Sequence, residues 1–377
     1  YYIMNSLTYH ESSPENNNVN GFTEFSSVDF VLDAPNRKLL KNSIRLEADV
    51  LVSATTGNRV DRTHKIQIDN KVGGHAFLES CVVSMPESKG VVQNAQEYPR
   101  HVQQIATASY TKNDYFCSDL QAEMRGCLEF NGKVNIQQVA SDNTTGTQDP
   151  TDPSFCIKPI ICLNSSTGGN YSFADNGHIR LSFNLAKVHN ALHGADCVAG
   201  TSYILKNMVV RYMTVPDDGK KDKMIMNSYA MVKNSIQSNS ANISVRVPSN
   251  SVGGVSINFL EQSRESDLTS NSYALNTYPQ FQEVNYGFSD SSSQFISYTI
   301  TDLGDALHKG VESLKRGGAN EVNMQSYHAN KGFVLGLDFN GDYIDLSSNK
   351  FSVNLKSNSV SLSPHLVYLY FHTLLVV

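Results

Sequence analysis

Tryptophan is absent from this chain and charge is scarce. Asp, Glu, Lys and Arg make up 18% of the 377 residues, against about a quarter in an average soluble domain. Polarity is carried instead by Asn, Ser, Thr and Gln, which suit turns and uncharged surfaces better than solvated helices. Basic runs are missing too. No run of Lys or Arg exceeds Lys220–Lys221, and the formal net charge is −6. Direct binding of nucleic acid, which wants an electropositive face, is therefore not expected. No membrane span is expected either. The apolar stretch 366–377 has 12 residues and includes His372, whereas a spanning helix needs about 20. The opening residues are polar beyond Met4 and lack the apolar core of a signal peptide.

Cysteine is sparse. Cys81, Cys117, Cys127, Cys156, Cys162 and Cys197 all fall in the first half and form no CxxC pair. A disulfide framework would be denser in a shorter chain. The expectation is free, mostly buried thiols in a protein produced in a cytoplasm. The sequons at Asn143, Asn164, Asn170 and Asn242 read as chance in a chain this rich in Asn and Ser.

Enzymatic signatures are also lacking: there is no P-loop, dinucleotide fingerprint, nucleophile elbow or HExxH helix. Two weaker constellations come closest to metal chemistry. His189 and His193, with Asp196, Cys197 and the upstream His178, have ligand types at helical spacing, but a short surface helix with local hydrogen bonds accounts for them. Asp338, Asn340, Asp342 and Asp345 alternate like a calcium loop, yet Gly341 is not at the sixth position and no Glu stands at the twelfth. A hairpin turn on Asn340–Gly341 is simpler. A glycosidase would need two carboxylates about 5–10 Å apart, and nothing in the sequence marks such a pair. No catalytic residue, metal ligand or cofactor is assigned.

What the chain does contain is β-pattern. In NSIRLEADVLVSA, Ile44, Leu46, Ala48, Val50 and Val52 alternate with Arg45, Glu47, Asp49 and Ser53, the period of a half-buried strand. SVDFVLDAP, HKIQID, HAFLESCVVSM, CLEFNGKVNIQQV, FCIKPIICLN and HIRLSFNL repeat the signal in the first half. ANISVRVP, GGVSINFLEQ, QEVNYGFSD, SQFISYTI, FVLGLDF and NKFSVNLKS repeat it in the second. Two helices interrupt. One starts near Pro99, with Val102, Ile105 and Ala106 at helical spacing. The other is capped by Thr301 or Asp302, has an apolar stripe of Leu303, Leu307, Val311 and Leu314, and ends at Gly317–Gly318. Strands every 8–15 residues with turns between them describe an all-β sandwich or barrel, not βαβ units.

Each half closes on a strong strand signal, TSYILKNMVVRYMTV at 201–215 and LSPHLVYLYFHTLLVV at 362–377. The expected organisation is a flexible arm over 1–24, a β-domain over 25–215, a charged linker over 216–224 and a second β-rich domain over 225–377. The last strand is apolar on both faces, so its own domain should cover one face and a neighbouring domain or subunit the other. Tyr368, Tyr370 and Phe371 are the candidate subunit-interface residues.

The strands at 27–52 and 76–85, the EYPRHVQQIATASY helix and the IKPIICLN…IRLSFNLAKVHNALHG…TSYILKNMVVRY run resemble the penton (minor capsid) proteins of Sputnik-type virophages, in the Polinton-like jelly-roll capsid lineage. The second half, from NISVRVPSNSVGGVSINFLEQ to VYLYFHTLLVV, is similar to the same proteins. The resemblance implies a viral jelly-roll sandwich plus a second β-rich domain. It further implies a structural protein of the virion capsid, assembled in the host cytoplasm, forming pentamers at the icosahedral vertices beside the hexons of a major capsid protein. Unlike the penton base of adenoviruses, the chain has no Arg-Gly-Asp. Two other readings stand beside this one: a short double jelly-roll major capsid (hexon) protein, and a β-sandwich binding a host receptor or glycan through Tyr- and Asn-rich loops such as 271–281.

Overall fold

A computed structural model describes residues 7–16, 18–54, 65–110, 114, 118–125, 134–135, 154–221, 223–249, 251–273, 281–289, 294–317, 319, 335–339, 342–357 and 363–377. The first half supplies β1 (Thr8–Ser12), β2 (Ser27–Leu32), β3 (Arg37–Leu39), β4 (Arg45–Ser53), β5 (Gln67–Ile68), β6 (Leu78–Met85), β7 (Gly90–Gln96), α1 (Tyr98–Ser109), β8 (Val134–Asn135), β9 (Ser154–Ile157), β10 (Ser166–Gly168), β11 (Tyr171–Ser172), β12 (Ile179–Leu185) and β13 (Ser202–Pro216). The second supplies β14 (Met224–Ile236), β15 (Ser240–Val245), β16 (Val252–Glu261), β17 (Phe281–Ser289), β18 (Gln294–Ile300), α2 (Leu303–Arg316), β19 (Leu335–Asp338), β20 (Lys350–Ser357) and β21 (His365–Val376).

Two sheets face each other in each half. In the first, β1 and β4 flank β13 on opposite edges, since Arg211 pairs with both Glu11 and Arg45. β3 continues the line of β4 along β13, and β9 and β11 lie outside them. The opposing sheet runs β2-β12-β6-β7. In the second half the sheets run β14-β21-β16-β19 and β15-β20-β17-β18. Lettering β1, β2, β4, β6, β7, β9, β12 and β13 of the first half, and β14 to β21 of the second, B to I in chain order gives B-I-D-G against C-H-E-F both times. That is the jelly-roll order, and both rolls are complete. The chain does not fold as one roll split around an insertion, because β21 pairs with β14 and β16 of its own half.

Alternation builds these layers. β4 buries Leu46, Ala48, Val50 and Val52, and β12 buries Ile179, Leu181, Phe183 and Leu185, all within one core. The second core gathers Ile257, Phe259, Val284, Tyr286, Phe351, Val353, Leu369 and Phe371. α1 and α2 occupy the same place in the two rolls, between strands F and G. Asp302 caps α2 by accepting from the backbone N–H groups of Gly304 and Asp305, and Gly317 ends it.

Two parts of the expected layout differ. Thr8–Ser12, read as flexible arm, is the B strand on the edge of β13. An edge strand held by backbone bonds on one side needs no apolar alternation, so composition hid it. The charged stretch after β13 is tied down rather than free: buried Lys38 donates to Asp218 at 2.5 Å and lies 3.5 Å from Asp217. CLEFNGKVNIQQV lies largely outside the described residues, as do Cys117, Cys127 and the Asn340–Gly341 turn. Cys81, Cys162 and Cys197 are buried free thiols, and Cys156 is partly buried and free.

Candidate functional site

The most heavily constructed region is the seam between the rolls. It lies where the outer face of the second roll's B-I-D-G sheet meets β7 and α1 of the first. Along β21 the side chains alternate between two cores. Val367, Leu369 and Phe371 enter the second roll's interior, while Leu366, Tyr368 and Tyr370 pack with the first roll. This explains the doubly apolar pattern and corrects the subunit-interface expectation. Tyr368, Tyr370 and Phe371 are 1%, 0% and 0% exposed within the single chain. The surface that covers the first two is the other roll, and Phe371 belongs to the core beneath it.

α1 is buried along nearly its whole length, polar residues included. Glu97 starts it in a left-handed conformation, φ 48°, which turns the chain sharply out of β7. The Tyr370 hydroxyl donates to the Glu97 carbonyl at 3.0 Å. The Arg100 guanidinium lies over the Tyr368 ring at 4.5 Å and the Tyr273 ring at 5.3 Å, and donates to the Ser272 carbonyl at 3.0 Å. Glu97 is its nearby counter-charge, at 3.9 Å. Burial pushes the Glu97 carboxyl up, against the pull of Arg100. A buried cation survives only when partnered in this way.

At the next position the His101 ring stacks on Tyr370 at 5.1 Å and lies tilted against Tyr229 at 4.4 Å, with His372 tilted at 5.8 Å. His372 Nε2 lies 3.1 Å from Ser256 Oγ, which in turn donates to Gln104 Oε1 at 3.4 Å. Burial lowers His101 to about 4. It also lowers His372 well below its usual range, with the charges of His101 and Arg316 adding to the effect. Both imidazoles are therefore held neutral. A Cβ on Gly317 would come within 2.6 Å of the His372 ring, so only glycine lets α2 end against it. Below, Ile105 and Ala108 of α1 meet Leu307 and Leu314 of α2.

Two further ties cross or brace the seam. β10, an excursion from the first roll between β9 and β11, pairs antiparallel with β14, Ser166 opposite Met226 and Gly168 opposite Met224. At one end of this pairing the Ser165 hydroxyl donates to the Asn227 carbonyl and the Asn227 amide donates to the Ser165 carbonyl, each at 3.0 Å. Inside the first roll, His75 Nδ1 lies 2.6 Å from the Tyr98 hydroxyl, and Glu123 bridges toward His75 at 3.4 Å and Arg125 at 3.0 Å. His75 is pushed down to about 4 by burial, then by Arg125. Burial works to raise Glu123, but Arg125, His75 and the Lys158 N–H outweigh it and hold it near 2. His75 and Arg125 are buried inside the first roll and Glu123 nearly so, and of the seam's aromatic and histidine cluster His372 borders a cleft. A polar cleft of about 140 Å³ beside the seam, lined by Asn227, Lys315, Arg316, Tyr343 and His372 among others, has no carboxylate in its wall.

The residues weighed for metals are not brought together. His178 pairs with Glu87 at 2.9 Å, Asp196 accepts from the Lys65 N–H, and Cys197 is a buried thiol whose N–H donates to the Gly194 carbonyl. Asp338 pairs with Arg316 at 2.9 Å, and Asp345 caps the Ser347–Ser348 turn. Among the described residues no group of three or more His, Cys, Asp or Glu could hold an ion. Sequence reasoning missed Arg100, His101 and His372. The available signal was polar residues around every side of α1, a pattern that fits a helix between two domains as well as one in solvent.

No protein-family model and no curated protein matches the sequence. The structure is similar to the Faustovirus major capsid protein, with a TM-score of 0.60, 8% identity, and 98% of this chain and 90% of that one covered. It is similar to PBCV-1 VP54 as fitted into a cryo-EM reconstruction of the virophage Sputnik, with a TM-score of 0.56, 10% identity, and 98% and 94% covered. A chain of the Sputnik virophage structure gives a TM-score of 0.54, 9% identity, and 98% and 86% covered. Matches of this span take in both rolls and everything between them, and the fold is the jelly-roll fold of viral capsid proteins.

Proposed function

We propose that this chain is a structural capsid protein, and specifically a major capsid protein built as a double jelly roll. The observation that carries the reading is two complete B-to-I rolls in one chain, locked side by side and matched end to end by chains of viral particles. This favours the hexon alternative over the vertex pentamer. Three copies of a two-roll chain present six rolls, which can fill a hexagonal position in a shell, whereas five copies present ten. Closed cyclic assembly of one heterologous contact serves either number. The buried polar seam fits a load-carrying part that keeps two rolls in one orientation.

The glycan-binding reading weakens on its own motif. Asn271 donates to Asp69 and Tyr273 lies under Arg100, 5% exposed, so the start of that loop serves the seam. Native mass spectrometry of the purified protein tests the proposal. A species of three times the 41.6 kDa chain mass is expected. A fivefold species would restore the penton reading, and a protein that stays monomeric and is missing from particles would overturn the capsid role.

A further inference from the structure

The two histidines of the seam differ from the one buried inside the first roll. His75 has a partner on each ring nitrogen, the Tyr98 hydroxyl at 2.6 Å and the Glu123 carboxylate at 3.4 Å. A proton added there meets a negative charge. His101 and His372 lie 5.8 Å apart, both buried, and the Nδ1 of each has no hydrogen-bond partner. Their other bonds run to Ser256 for His372, and to Gln104 and the Gly317 backbone for His101. Protonation makes an imidazole a donor at both nitrogens. In this seam it would bury a charge together with an N–H that has no acceptor, and both are costly. We infer that the seam is an acid-operated joint, in which protonation of His101 and His372 parts the two rolls while each roll stays folded. The inference concerns the single chain and does not depend on the oligomer it builds.

Among the described residues no carboxylate is placed to offset these charges. On α1 the neighbour of His101 is Arg100, and Glu97 is engaged by Arg100 at 3.9 Å. From β14 and β21 the Tyr229 and Tyr370 rings face His101, and from β16 the Ser256 hydroxyl faces His372. The end of α2 brings Arg316, which acts on His372 as a like charge and pairs with Asp338 at 2.9 Å. Lys315 beside it pairs with Glu312 at 2.8 Å. Protons have a way in, because His372 lines the cleft of about 140 Å³ together with Lys315, Arg316 and Tyr343. In the closed seam burial holds His101 near 4, and in water a histidine returns to about 6.5. Closure is therefore complete above about 6.5 and is lost as pH falls toward 4. At pH 5 the balance shifts toward opening by about thirtyfold per histidine and about a thousandfold for the pair. Opening leaves the second roll its own core, since Val367, Leu369 and Phe371 stay on the inner side of β21. It also gives water to Gln103, Gln104 and Asn258, whose side chains have amide atoms without partners in the closed seam.

Hydrogen exchange on the full chain tests this, read by mass spectrometry at pH 7.5 and pH 5 and corrected for the intrinsic rate. The amides of α1 and of β10, which join the rolls, should exchange at least about a hundredfold faster at pH 5. Those of β12 and β20, each inside a sheet of one roll, should keep their protection. His101→Gln combined with His372→Gln removes both titrating groups and should leave α1 as protected at pH 5 as at pH 7.5. His75→Gln should open like the wild type. A wild-type seam that stays closed at pH 5 overturns the inference. So does a seam that loses protection only together with β12 and β20, which is acid unfolding of the rolls themselves. A double variant that opens like the wild type assigns the opening to other groups and also overturns it. If the double variant does not fold, the wild-type comparison of seam against rolls decides alone.

Discussion

Phe371 and Tyr370 are neighbours on one strand with different jobs, and substitution should separate them. Phe371 is enclosed by the second core, where it packs edge-on to Phe351 at 5.3 Å. Phe371→Ala should cost about 3–5 kcal/mol. Tyr370→Phe keeps the ring in the seam and removes only its bond to the Glu97 carbonyl, so it should cost about 1 kcal/mol. Thermal or denaturant unfolding of the two variants checks both values. The buried histidines add a dependence on pH. Above about 6.5 they are neutral folded and unfolded alike, and their stability contribution is complete. As pH falls from 6.5 toward 4, the unfolded chain takes protons that His75 and His101 refuse when folded. Stability should then drop by about 1.4 kcal/mol per pH unit for each, the loss being complete near pH 4. Glu97, whose carboxyl is raised, works in the opposite direction just above its ordinary range. Melting measured at pH 7, 5.5 and 4.5 should show the decline, and His101→Gln should flatten it. An unchanged slope in that variant would mean that His101 is not among the groups responsible.

Elements whose two sides face different media were the legible ones. β4 reads directly, because Leu46, Ala48, Val50 and Val52 meet a core while Arg45, Glu47 and Asp49 do not. α2 reads as well, from its Asp302 cap to its Gly317 stop. Asp302→Ala should destabilise by about 1 kcal/mol, measurable as a lowered melting temperature, whereas Thr301→Ala should do little. β14 was not legible. Its MNSYAMVKNS places Tyr229 and Met231 against the first roll and Ala230 and Val232 against the second, so no polar–apolar rhythm remains. β1 failed for the opposite reason, being too exposed to need one. The seam failed because its partners are remote in sequence: Tyr370 meets Glu97 across 273 residues, and no local pattern encodes a partner that far away. The doubly apolar closing strand did announce a second covering surface. It left open whether that surface is the neighbouring domain or another subunit.

At the scale of the molecule, the two rolls share more than an interface. β10 extends the second roll's sheet with backbone from the first, α1 and α2 touch across the seam, and Arg100 reaches from one roll to the backbone and rings of the other. The architecture was readable as two β-units because each closes on a strong I strand, β13 and β21. The pairing of the units was not, because it depends on a three-residue strand whose sequence, Ser-Thr-Gly, resembles any loop. That short strand also has a mechanical consequence. Force that slides one roll past the other loads the β10–β14 bonds in shear, all of them together, instead of peeling them one at a time. A wall assembled from such chains would flex and crack along the joints between chains while each double roll moved as a single stiff tile.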